Sequence, residues 1–201
     1  MTCGIVVVGS SWGGVNALGR LLSSVPLDLA APIVIAQHRR DAPSMLAKLL
    51  ALQTGWTVRD AEDKDRIVPG TVYLAPAGYH LLVESAGHLA LSTEGPVRYA
   101  RPSVDVLFES AAAAYRTGVI GVVLTGTNDD GAAGLAVIVA RGGQAVVEDP
   151  STAERPAMPL AALATGIPAA VLPLDDIGPH IGRLCDAATI PVIAPGVIAP
   201  V

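Results

Sequence analysis

Short apolar runs, unbroken by polar side chains and separated by Ala/Leu-rich stretches, constrain this chain most. Residues 5–8 read IVVV, residues 33–36 read IVIA, and residues 119–124 read VIGVVL. A strand with one wet face alternates apolar and polar residues, whereas one covered on both faces does not. Between the first two runs, residues 15–22 place Leu18, Leu21 and Leu22 on one face of a helix. Residues 44–52 repeat the pattern through Met45, Leu46, Leu49 and Leu50, with Ser44 as the cap. The fold class read from this alternation is α/β: a doubly wound, mainly parallel Rossmann-like sheet with helices on both faces.

The middle of the chain departs from that rhythm. Residues 80–84 and 88–92 flank Ser85-Ala86-Gly87, a three-residue turn containing glycine, and predict an antiparallel β-hairpin insert. Residues 70–74 read as a short strand, and residues 103–115 as a helix. Beyond the run at 119–124, helices are expected near 131–140, 158–164 and 174–185, with strands at 144–147 and 169–171. No linker separates two cores. One domain is expected over residues 1–186, followed by a Pro-rich tail over 187–201 and without a further regulatory domain.

Composition excludes several classes. With 51% hydrophobic residues the chain can bury enough surface to offset its conformational entropy, so it is not a disordered segment. No stretch of about 18 apolar residues runs uninterrupted; even the last one is broken by Pro191, Pro195, Gly196 and Pro200. A net charge of −5 argues against a nucleic-acid binder. Cys3 and Cys185 make neither a disulfide framework nor a zinc set, so no metal or cofactor is expected. The N-terminus lacks the basic region of a signal peptide, which makes the cytoplasm the expected compartment.

The chemistry is expected where strands end. The first strand runs into Gly9-Ser-Ser-Trp-Gly-Gly14. A dinucleotide loop would need glycine where Ser11 stands, and a P-loop would end in Gly-Lys-Ser/Thr. Gly9 to Gly13 instead matches G-x-S-x-G, a nucleophile on a sharp strand-to-helix turn. The competing reading makes Ser11 a helix N-cap. A serine nucleophile needs a base, and the second strand ends in Gln37-His38, one crossover helix away. Parallel strands in a right-handed βαβ unit deliver both residues to the same sheet edge. His80 is the serious rival; His88 and His180 lie in the hairpin and a late helix. An acid is offered by Thr125-Gly-Thr-Asn-Asp-Asp-Gly131, where either Asp129 or Asp130 could hold the imidazole and the other cap the helix.

Taken together, these segments resemble the catalytic domain of the chemotaxis protein-glutamate methylesterases, the CheB family. The resemblance spans about residues 5–184. It also rests on Pro69-Gly-Thr-Val-Tyr-Leu-Ala-Pro76, Arg101-Pro-Ser-Val-Asp-Val-Leu-Phe108, Glu148-Asp-Pro150 and Met158-Pro159. It implies a Ser11, His38, Asp130 catalytic set, with Asp130 rather than Asp129 as the acid. The implied reaction is hydrolysis of glutamyl methyl esters on chemoreceptor-type helical proteins, and deamidation of receptor glutamines. The family pattern has Thr where Trp12 stands, Met at Thr127 and Gly at Asn128. Trp12 and Thr127 flank the expected oxyanion region. Arg39, Arg40 and Arg101 are candidates to attract an acidic substrate. Two other readings follow from the departures: an altered relative that only binds a receptor-like helix, and a serine esterase of another signalling pathway.

Overall fold

The computed structural model describes residues 3–39 and 45–187. Seven parallel strands form the sheet: β1 (Ile5–Ser10), β2 (Ile33–Gln37), β3 (Thr57–Asp60), β4 (Thr71–Leu74), then β7 (Val119–Val123), β8 (Gln144–Glu148) and β9 (Ala170–Leu172). Their order is β3-β4-β2-β1-β7-β8-β9. The antiparallel hairpin is β5 (His80–Glu84) with β6 (His88–Ser92), as predicted. The helices are α1 (Gly14–Ser24), α2 (Leu46–Thr54), α3 (Val104–Tyr115), α4 (Ala132–Ala140), α5 (Ala157–Ala164) and α6 (Leu174–Ala187).

The apolar runs are buried throughout, as their lack of alternation requires. Alternate residues of each run feed opposite cores, because successive strand side chains point to opposite faces. Val6, Val8, Ile33 and Ile35 pack with leucines of α1 and α2 and with α6. Ile5, Val7 and Val34 pack with α3, α4, α5 and the hairpin. β3 was not anticipated from sequence. Thr57-Val-Arg-Asp60 is a polar, half-exposed edge strand, so it carries no continuous apolar run. The proposed cap Ser44 lies outside the described residues.

The chain order reverses between β1 and β7. Strands added after β1 go one way and those after β7 the other. Such a switch point leaves a crevice at the carboxyl ends of the strands. Two features bring α3 into that crevice. Gly9 has no side chain, and a Cβ there would lie 2.2 Å from Val104 Cγ1. Ser103 caps α3, accepting from the Val106 amide.

Cys3 and Cys185 are joined in a disulfide, with Cα atoms 4.9 Å apart. Sequence separation concealed this, since α6 packs on α1 and returns to the start of β1. Among the described residues no helix is long and apolar enough to cross a membrane.

Candidate active site

Ser11, His38 and Asp130 all follow the carboxyl ends of strands, and β1, β2 and β7 are neighbours. Ser10 pairs in register with Gln37, so Ser11 and His38 emerge side by side. Ser11 is not a helix cap. The N-cap of α1 is Gly13, at φ +81, and it has no side-chain capping bond. The Ser11 hydroxyl makes no hydrogen bond among the described residues. Its backbone is held instead: the amide donates to Thr125 O at 2.9 Å, and its carbonyl accepts from the Gly14 amide at 2.9 Å.

Gln37 ties the two segments together, a role the sequence did not reveal. Its Nε2 donates to Ser11 O and to His38 O, both at 2.8 Å, while its Oε1 accepts from Ser10 Oγ at 2.5 Å. The signal was present in sequence only as a polar residue closing an apolar strand.

His38 Nε2 lies 2.7 Å from Asp130 Oδ2. The other ring nitrogen, Nδ1, has no partner among the described residues. Asp130 is buried. It does not cap its own helix; Gly131 is the N-cap of α4. Its carboxylate crosses to the N-terminus of α3, accepting from Ser103 Oγ at 2.9 Å, Val104 N at 2.7 Å and Asp105 N at 2.9 Å. A helix N-terminus presents unpaired N–H groups and positive potential, which suits an anion. Burial pushes the Asp130 carboxyl up. Hydrogen bonds from His38 and from the Asp105 and Val104 amides outweigh that and hold it below its ordinary value.

Asp105 returns the exchange. Its Oδ1 accepts from the Gly131 amide at 2.9 Å and the Gly134 amide at 2.7 Å, at the N-terminus of α4. Each helix start is thus closed by a carboxylate from the other. Burial pushes Asp105 up, against the lowering effect of Gly134 N–H and the Arg98 guanidinium. Arg98 bonds Asp105 Oδ2 at 2.8 Å and also pairs with Asp129. That places Asp129 outside the Ser11, His38 and Asp130 group, at an exposed ion pair.

His80 does not join this group. It is buried, its Nε2 bonds Gly95 O at 3.0 Å, and its Nδ1 accepts from the Ser103 amide at 3.2 Å. Trp12 is 59% exposed rather than packed on the sheet edge. Its Nε1 donates to Glu154 Oε1 at 3.0 Å, and the Arg155 guanidinium lies over its ring. The backbone amides of Trp12 and Thr127 have no acceptor among the described residues.

Arg39 and Arg101 both line a cavity of about 570 Å³ that includes His38. They differ in freedom. Arg39 is largely buried, and its Nη2 bonds Asp60 Oδ1 at 2.6 Å and Ala75 O at 2.5 Å, so it is not the free surface charge its sequence position implied. Arg101 Nη1 donates to the carbonyls of Thr93 and Glu94, both at 3.0 Å, and has no carboxylate partner among the described residues. Arg40 lies outside them.

Fold and cluster define a class: a doubly wound α/β protein with a polar Ser/His/Asp group at the carboxyl edge of its sheet. The comparisons with known proteins are specific. The family model for CheB methylesterase matches residues 6–181, and the chain belongs to that family. A provisionally named protein-glutamate methylesterase/protein-glutamine glutaminase of Leptospira interrogans is 42% identical over 184 residues, 89% of this chain and 93% of that protein. Protein-glutamate methylesterase/protein-glutamine glutaminase 2 of Caulobacter vibrioides is 44% identical over 88% of this chain, but only 52% of its own length is covered. The crystal structure of the Thermotoga maritima CheB methylesterase catalytic domain superposes with a TM-score of 0.86, at 33% identity. It covers 92% of this chain and 100% of that domain.

Proposed function

We propose that this chain is a serine hydrolase of the cytoplasm that removes methyl groups from glutamyl methyl esters on chemoreceptor-type helical proteins. The observation that carries the reading is the His38–Asp130 contact, delivered to the sheet edge beside Ser11. In this reading Ser11 Oγ attacks the ester carbonyl as His38 takes its proton through Nδ1, the nitrogen Asp130 does not hold. Asp130 stays ionised, fixes the tautomer and stabilises the charged imidazole. The tetrahedral oxyanion would be met by the unengaged amides of Trp12 and Thr127. His38 then gives its proton to the departing methoxide, and methanol leaves. The glutamyl group remains esterified to Ser11 until water, deprotonated by His38, attacks it and frees the carboxylate. Attack on a glutamine side chain follows the same course with ammonia as leaving group.

The test is release of volatile radiolabelled methanol from receptor membranes carrying labelled methyl esters. Wild type releases methanol. Ser11→Ala loses at least about a thousandfold in rate while keeping its melting temperature, since the hydroxyl makes no hydrogen bond among the described residues. No release by the wild type, or equal release by Ser11→Ala, overturns the reading.

A further inference from the structure

Val97 and Ala100 exchange both backbone hydrogen bonds, Val97 N to Ala100 O at 3.1 Å and Ala100 N to Val97 O at 2.9 Å. The two residues between them, Arg98 and Tyr99, sit at φ +47 and φ +62. This is a two-residue turn with both central residues left-handed, the geometry that strongly prefers Asn-Gly. Bulky side chains are strained there. One of the two is anchored. Arg98 bonds Asp105 and Asp129. Tyr99 is not anchored. It is 103% exposed, the most exposed large hydrophobic residue among those described. Both residues line the same cavity as His38 and Arg101.

A large aromatic ring, fully in water on a turn that would fold better without it, is a local conflict. Such conflicts mark function more often than accident. Three arginines line the cavity, but Arg39 is paired with Asp60 and Arg98 with Asp105 and Asp129, so Arg101 is the lining guanidinium with no carboxylate partner among the described residues. We infer that Tyr99 is a substrate-docking residue, packing its ring on the helical segment that carries the glutamyl ester while Arg101, in the same cavity, meets an acidic side chain of that segment. The inference rests on the proposed activity, since it names how that activity's protein substrate is held. Tyrosine suits the task, offering a large rigid contact for little lost side-chain freedom. The turn keeps the ring from folding back onto its own domain.

The test is a pair of variants assayed on the methylated receptor. Tyr99→Gly removes the ring and also suits the left-handed backbone. It is expected to raise the melting temperature by about 2–4 °C and to raise KM for the receptor about tenfold or more, leaving kcat within about twofold of wild type. Tyr99→Phe keeps the ring and is expected to keep the wild-type KM. A merely structural role cannot give a variant that is both more stable and poorer in KM. If wild type releases methanol and Tyr99→Gly shows an unchanged KM, docking through Tyr99 is overturned and the methylesterase reading stands. If kcat falls with KM held, the residue acts on the chemistry and the inference is equally overturned. If wild type releases no methanol, the activity itself is refuted, and the docking role falls with it.

Discussion

Replacing Asp130 with asparagine asks one carboxamide to do what a carboxylate does for four donors. Oδ1 accepts from Ser103 Oγ and Asp105 N, and Oδ2 from Val104 N and His38 Nε2. Asparagine offers one acceptor oxygen and one NH₂ group. If the NH₂ takes the Oδ1 place, the Asp105 amide loses its acceptor. If it takes the Oδ2 place, the Val104 amide does, and His38 is driven to the wrong tautomer. Either way one buried backbone N–H is orphaned, at about 1–3 kcal/mol. For a domain of this size the melting temperature then falls by about 2–12 °C. Loss of the charge also removes orientation of the base, so methanol release is expected to drop by about 10⁴. The pH dependence supplies the sign. The folded-state pKa of Asp130 is depressed, so its contribution to stability is complete above the unfolded value of about 3.9. It is lost as the pH falls through the lower folded-state value. Below that point the wild type also carries a neutral group at position 130. Urea midpoints of the two proteins, measured from pH 7 into that acid range, are therefore expected to converge. An asparagine variant as stable as wild type at pH 7, or a deficit that survives acidification, refutes the account of Asp130 as the anion at the α3 N-terminus.

Other outcomes follow from single residues. Gln37→Ala removes the amide that joins the Ser11 and His38 carbonyls; it is expected to cost about 2–3 kcal/mol by urea titration and about a hundredfold in kcat. A variant that loses stability but keeps kcat would show the link to be structural only. Burial pushes the Glu148 carboxyl up, although Thr125 N–H donates to it at 2.8 Å. Its ionised form is disfavoured in the fold, so wild-type stability declines as pH rises from the unfolded pKa of about 4.3 through the folded value. Glu148→Gln keeps an acceptor for Thr125 and lacks that titration, so its melting temperature is expected to gain on wild type between pH 4 and pH 7.5. A variant that loses ground over that range contradicts the assignment.

The sheet was legible because burial on both faces forces a strand to be continuously apolar, which Ile5–Ser10 and Val119–Val123 display almost to their ends. β3 was not, because an edge strand has one side to solvent and its Thr and Arg carry no such pattern. Ser11 and His38 could be placed together from topology alone, since neighbouring parallel strands end at one edge. Choosing Asp130 over Asp129 needed either the family likeness or the geometry. The two are neighbours in sequence, and the approach of α3 through the gap at Gly9 decides that Asp130 is the enclosed carboxylate. Long-range partners left no local trace. The Asp105–Asp130 exchange, the Gln37 link and the Cys3–Cys185 pair each join segments whose separation in sequence is set by the fold.

That last pair has a consequence for how the polypeptide can be rearranged. Cys3 stands before β1 and Cys185 near the end of α6, and their Cα atoms are 4.9 Å apart. Ser11 lies at the opposite end of β1, about 20 Å away along a six-residue strand. Position 3 can therefore be joined to position 185 by a very short peptide, and the ring reopened at the exposed Ser85–Ala86 turn, without crossing any strand of the sheet. The order of elements along the chain would change while their arrangement in space would not. The fold treats its linear sequence as a nearly closed loop, with the seam at the end of the sheet away from the chemistry.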